Sequence, residues 1–128
     1  MGYCVEMLEN EFSFKKENAD NVVGAVKVWA KENINERKPW ISVQTLLEAE
    51  DVESIFEEIR FPLVLKDEKY IIDWFIGEKM GCEDEIFKAI AEFVEDGYIE
   101  MLGEDGDRWR YVFKDGKFEY KSATITFE

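Results

Sequence analysis

The stretch Gly97-Tyr98-Ile99-Glu100-Met101-Leu102-Gly103-Glu104-Asp105-Gly106-Asp107-Arg108-Trp109-Arg110-Tyr111-Val112-Phe113-Lys114-Asp115-Gly116-Lys117-Phe118-Glu119-Tyr120-Lys121 decides the fold. It reads as three strands joined by two tight turns. Tyr98 to Leu102 runs into Gly103 to Gly106, a cluster of turn formers. Arg108 to Lys114 runs into Asp115-Gly116, a dipeptide whose two positions both tolerate positive φ and so close a two-residue hairpin. Phe118 to Lys121 is the returning strand. Side chains alternate along a strand, so Trp109, Tyr111 and Phe113 share one face and Arg108 and Arg110 the other. The aromatic face reads as core. An antiparallel β-meander therefore closes the chain, and Ala123 to Phe127 continues it or forms an edge.

Upstream of the meander, residues 83–95 read as a helix. Ile86, Phe87, Ile90, Phe93 and Val94 recur at helical spacing. Glu83, Asp84 and Glu85 fill the first turn, where the helix dipole favours anions. Asp96-Gly97 is a C-terminal stop. Leu63 to Leu65 and Tyr70 to Ile76 read as a hairpin around Lys66-Asp67-Glu68-Lys69. Tyr70 to Ile76 is apolar on both faces, which predicts a strand covered on both sides. Asp51 to Arg60 is a helix with Val52, Ile55, Phe56 and Ile59 on one face, and Pro62 stops it. Ser42 to Glu48 is a short helical turn. Residues 34–42 connect, with Trp40 expected to pin the connection to the core.

Asn18 or Asp20 is expected to cap a first helix. Val22, Val26, Trp29 and Ala30 share its buried face, Lys27 and Lys31 point away, and it ends near Asn33. Tyr3 to Lys15 reads as one long strand. Tyr3, Val5 and Met7 lie in one phase and Leu8, Phe12 and Phe14 in the other, which predicts a bulge near Leu8 to Asn10. The order β-α-α-β-β-α-β-β-β makes α+β the natural class. The architecture it suggests is a single domain over residues 1–128. Its frame is a ferredoxin-like βαββαβ antiparallel sheet with an inserted helix and an extra C-terminal hairpin.

The 128 residues are 46% hydrophobic and 15% aromatic, enough for one core without disulfide or metal staples. Asp and Glu number 30 against 16 Lys and Arg, a formal charge of −14. That balance argues against direct binding to nucleic acid or to an anionic membrane, since both need clustered cations. With no His in the chain, every His-based triad, relay and metal site is excluded. Glu6, Glu9 and Glu11 near the start are unlike a signal peptide. No apolar run exceeds three residues, so no membrane span is expected. Cys4 and Cys82 have no CxxC spacing and read as reduced core or strand residues of a cytoplasmic protein.

Motifs for chemistry are missing. There is no GxSxG elbow, no GxxxxGK[ST] loop and no GxGxxG turn. The four Ser residues have no evident activating base. Carboxylate pairs are too abundant to be diagnostic of glycoside chemistry. Glu104-Asp105-Gly106-Asp107 fails the calcium-loop test. Counted from Asp105, the fifth residue is Trp109, the sixth Arg110 and the twelfth Gly116. Neither an enzyme nor a cofactor or metal site is expected.

The charge is unevenly placed. Residues 48–58 hold six acids and no base, and residues 83–107 hold ten acids with Lys88 as the one base. Acids three or four apart on a helix lie about 5–6 Å apart, comparable with phosphates along a strand. Such a surface can occupy a basic groove built for phosphates, or it can simply keep the protein soluble. The expected partner-binding residues are Glu83, Asp84 and Glu85 with Glu104, Asp105 and Asp107, because a helix start and a hairpin tip both protrude. The turn at 103–106 returns the chain toward the end where the helix began, which merges the two clusters. The expected partner is a basic nucleic-acid-binding protein. A different reading is a small-ligand sponge or sensor that buries a nucleotide between the sheet and the Trp40 connection, suggested by four Trp residues in a short chain.

The stretch Glu95 to Arg110, with Phe75-Ile76-Gly77-Glu78-Lys79 and Val112-Phe113-Lys114-Asp115-Gly116-Lys117, resembles a signature of small acidic proteins from phages and mobile elements of Gram-positive bacteria. Where such signatures often read WRW, this chain has Trp109-Arg110-Tyr111. The resemblance brings no catalytic residues. It implies a setting: such elements encode small acidic proteins that disarm host defences, anti-CRISPR proteins among them, as well as plain structural proteins of the phage.

Overall fold

The computed structural model describes residues 4–35, 41–77 and 83–122. The expectations for Tyr3, Pro39, Trp40, Gly81, Cys82 and Ala123 to Phe127 lie outside the described residues. The meander forms as the sequence predicts: β5 (Gly97–Gly103), β6 (Arg108–Lys114) and β7 (Lys117–Ser122) pair antiparallel in succession. Asp115 and Gly116 both take positive φ, 52° and 74°, as the two-residue turn requires. Tyr111 and Phe113 are buried and Trp109 half-buried, while Arg108 and Arg110 face out.

The first strand departs from expectation. It divides into β1 (Val5–Asn10) and β2 (Ser13–Lys15), which enter different sheets. The predicted bulge is present as a register shift between Met7 and Glu9. The break follows directly. The Asn10 carboxamide oxygen accepts the Phe12 N–H at 3.2 Å, a side-chain turn that bends the chain. Glu11 then donates its N–H to the Tyr98 carbonyl at 2.7 Å. At that crossing a Cβ on Gly97 would collide with the Glu11 carbonyl oxygen, so only glycine lets the two backbones meet.

Among the described residues the strands, with β3 (Leu63–Lys66) and β4 (Lys69–Ile72), therefore form two antiparallel sheets, β1-β5-β6-β7 and β2-β4-β3, rather than one ferredoxin-like sheet. The class, α+β, stands. In the smaller sheet β3 and β4 make the expected hairpin, with Asp67 and Glu68 at positive φ in its turn. β4 is central, but it ends at Ile72, and Trp74 and Ile76 beyond it are exposed. The expectation of a strand covered on both faces through Ile76 is corrected there: β2 pairs only as far as Ile71, and beyond Ile72 the chain is held on the other side alone, by Asp73 N–H to the Pro62 carbonyl and Ile76 N–H to the Arg60 carbonyl, with Phe75 buried and Trp74 and Ile76 outward.

Four α-helices among the described residues complete the fold: α1 (Ala19–Glu32), α2 (Val43–Glu48), α3 (Val52–Glu58) and α4 (Glu83–Ile90). α4 tightens into a 3₁₀ turn over Ala91–Phe93, so the helix expected to reach Glu95 is shorter. Asn18 stands at the start of α1 without a side-chain cap, whereas Ser42 caps α2 and Asp51 caps α3. One hydrophobic cluster draws on both sheets and all four helices. Phe12, at the break between β1 and β2, sits at its centre with Phe113 at 5.2 Å, Phe56 at 5.9 Å and Phe14 at 6.0 Å between ring centroids. Cys4, read as core or strand from sequence, is exposed with a free thiol. No helix among the described residues is long and apolar enough to cross a membrane.

The Asp51 cap has a pH signature. Its carboxylate accepts the Ser54 N–H at 2.8 Å, and hydrogen bonding from Ser54 holds its pKa below the ordinary aspartate value. A depressed pKa adds stability above the unfolded value of about 4, and that stability is lost as pH falls through the folded value. Asparagine also caps but does not titrate. Asp51→Asn is thus expected to flatten the acid limb of a melting-temperature profile taken from neutral to acidic pH.

Candidate functional site

The six acids singled out from sequence have four different fates. Glu83, the first residue of α4, is fully buried and forms an ion pair with Arg60, Oε1 to Nη2 at 2.7 Å. Its expected place on the surface is corrected: Glu83 lies on the phase of Ile86, Phe87 and Ile90, the stripe that faces the core. The helix start and the guanidinium offset the cost of burying its charge. Glu85, two residues on, accepts the Trp29 indole N–H at 3.3 Å. Glu104 accepts the Cys4 backbone N–H at 3.0 Å, and its own N–H donates to the Cys4 carbonyl, so it fastens the hairpin tip to the chain entering β1.

The other three meet. Asp84, Asp105 and Asp107 line one open depression of about 580 Å³, together with Arg108, Trp109, Tyr111, Tyr120 and Ser122. Local structure explains the convergence. The turn after β5 is closed by Gly106 N–H to Gly103 carbonyl and Gly103 N–H to Asp107 carbonyl. The Asp105 carboxylate accepts the Asp107 N–H at 3.0 Å, which fixes the tip. The turn thus comes back beside the start of α4, as the connection predicts. Among the described residues, the Asp84 and Asp107 carboxylates have no partner.

Aromatic rings make the wall. The Asp115-Gly116 turn sets Tyr111 opposite Tyr120, with ring centroids 6.1 Å apart. Tyr111 is buried and Tyr120 is 55% exposed. Burial pushes the Tyr111 phenol pKa far above its ordinary value, and the charges of Asp84 and Glu83 raise it further. Tyr120 and Ser122 join the lining without belonging to any motif in the sequence. The two-residue turn carries the signal for Tyr120, since it fixes the register from which its partner can be counted.

The outer face of the larger sheet disposes of the Arg pair. Arg110 Nε donates to Glu100 Oε1 at 2.6 Å, and its guanidinium lies 4.1 Å above the Tyr98 ring. Arg108 Nε is 3.8 Å from the same carboxylate. Arg110 is thereby committed within the protein, whereas Arg108, more loosely paired, also lines the depression. In the other acid-rich segment, Glu58 accepts the Ser42 N–H and Asp51 caps α3, while Glu50, Glu53 and Glu57 are exposed. Among the described residues, no group of three or more Cys, Asp or Glu is arranged to hold a metal ion. No protein-family model, no curated protein and no solved structure matches the chain.

Proposed function

We propose that this chain is a non-enzymatic binding protein whose acidic surface takes a basic, nucleic-acid-binding protein. The observation that carries the reading is the depression itself. Carboxylates of Asp84, Asp105 and Asp107 stand beside the exposed ring of Tyr120 and the half-buried ring of Trp109, and outnumber the one cation of the lining, Arg108. A guanidinium or ammonium needs both: charged acceptors for its N–H groups and a π-face for its cation. The formal charge of −14 extends the attraction beyond the contact and speeds encounter with a basic surface.

Basic grooves that hold phosphates are the natural target for such a surface, and occupying one blocks its nucleic acid. The phage or mobile-element setting, and inhibition of a host defence protein, rest on the sequence resemblance alone. The nucleotide-sponge alternative places its ligand against the Trp40 connection, outside the described residues; the depression itself does not favour it, because three carboxylates there repel a phosphate.

The test is capture from a Gram-positive host lysate at low and high salt, followed by elution with duplex DNA. Captured proteins are expected to be basic, to bind nucleic acid, and to leave the column when DNA or salt is added. Partners that are neither basic nor displaced by DNA would overturn the proposal.

A further inference from the structure

A second surface, sharing no residue with the depression, lies between α1 and the C-terminal part of α4. α1 has two apolar faces. Val22, Val26 and Ala30 enter the core as the sequence predicts, whereas Trp29, expected with them, is only half-buried. The neighbouring stripe of Gly24, Ala25, Val28 and Trp29 forms one wall of a groove of about 460 Å³, and Ala89 and Phe93 form the other. Val28 is 61% exposed there, although Val lowers helix propensity and gains nothing from that position within this chain. The remaining charged lining is Asp20, Glu32 and Glu92, three carboxylates with no base.

Gly24 adds an independent observation. It sits inside a helix, where glycine is unfavourable relative to alanine. A Cβ there would meet nothing within 4 Å, so neither packing nor backbone geometry inside the protein calls for glycine. What the missing side chain does provide is a flat floor that another helix could approach closely.

We propose that this groove docks a basic amphipathic helix of a partner protein. An apolar floor between two helices, with an acidic rim, matches the helix-in-groove mode, in which one apolar face is buried and a cationic face meets the rim. The span from Asp20 to Glu32 is about 18 Å, three helical turns, so the docked segment presents apolar residues at two or three successive turns. Charge selects the occupant: a second copy of this chain would bring two acidic rims together, whereas a cationic helix neutralises one.

The probe is a synthetic fourteen-residue Leu/Lys amphipathic helix, with a control in which every Leu is replaced by Ser at equal charge. Binding is followed by amide chemical shifts and by calorimetry. Shifts are expected to concentrate at residues 20–32 and 89–93, and the Ser control is expected to bind at least tenfold more weakly. Val28→Glu, a surface change, should weaken the Leu/Lys peptide at least tenfold. Gly24→Leu should raise the melting temperature, because leucine favours helix, and still block the peptide. By contrast, Asp105→Lys with Asp107→Lys should leave peptide affinity within about threefold, which separates this site from the depression. Equal binding of the Ser control, shifts centred elsewhere, or unchanged affinity in both Val28→Glu and Gly24→Leu would overturn the proposal. So would a dimer in solution that Val28→Glu dissociates, since the occupant would then be a second copy.

Discussion

Glu83→Ala is expected to cost about 3–5 kcal/mol of folding stability, because it leaves Arg60 beside a low-dielectric site without its counter-charge. In a chain of this size the melting temperature should fall by roughly 10–20 °C. The geometry behind the figure is unusual. Arg60 follows α3 at φ 69°, the left-handed position where a helix normally ends in glycine. Phe61 N–H reaches the Phe56 carbonyl at 2.9 Å and Arg60 N–H the Glu57 carbonyl at 3.0 Å, the paired bonds of a Schellman ending. An arginine there carries about 1 kcal/mol of backbone strain. Its side chain explains why it is kept, since it reaches Glu83 and lies 5.7 Å from the Phe75 ring centre.

Arg60→Gly should therefore relax the backbone yet still destabilise, by somewhat less than Glu83→Ala. The double variant Arg60→Met with Glu83→Leu should recover most of the loss, because apolar residues of similar volume often replace a buried pair without penalty. Urea unfolding of Arg60→Met, of Glu83→Leu and of the double gives the coupling. If Glu83→Ala melts together with the parent, the pair does not hold the end of α3 to the start of α4.

Reversing Asp84, Asp105 and Asp107 to lysine is expected to lower affinity for a labelled octa-arginine peptide by about a hundredfold at low salt, mainly through the association rate. At high salt the difference should shrink, since screening removes the long-range part first. Folding stability should fall by about 1–2 kcal/mol, since Asp105→Lys gives up the bond to the Asp107 N–H and Asp84→Lys puts a cation at a helix start, so melting is followed alongside binding. Relief of self-repulsion at −14 works in the opposite direction. Reversal of Glu48, Glu50 and Glu57 changes net charge equally and serves as the control. Stopped-flow anisotropy separates the outcomes. Equal losses in both triples would mean that net charge alone binds the peptide and that the depression has no special role. Tyr120→Ala should cost a few-fold more in dissociation rate, the share due to the ring.

Much of the fold was legible because it follows from local rules. Turn chemistry set the meander and its register. Helical spacing located α1, α3 and α4, and the phase change between Met7 and Leu8 announced the bulge, though not the division of the first strand into two. The partner of each half was not legible. β1 joins the meander and β2 joins the hairpin because of one side-chain turn at Asn10 and one close crossing at Gly97. Pairing between strands more than fifty residues apart is a contest among edges, and no short-range signal decides it.

The acids divide the same way. Sequence by itself determined an α+β chain with a strongly anionic surface, no His chemistry, and a helix start and hairpin tip brought to one end. Which carboxylates face outward was decided by tertiary structure. Glu83, Asp84 and Glu85 are consecutive and chemically alike, yet one is buried against Arg60, one lines the depression and one holds Trp29. Helical phase turns successive side chains by about 100°, so neighbours in sequence meet different surroundings. Those surroundings come from distant elements: Arg60 at the end of α3, Tyr111 and Tyr120 on β6 and β7, and Trp29 on α1. A carboxylate's role is set by what lies within a few ångströms of it, and only the packed chain brings those groups there.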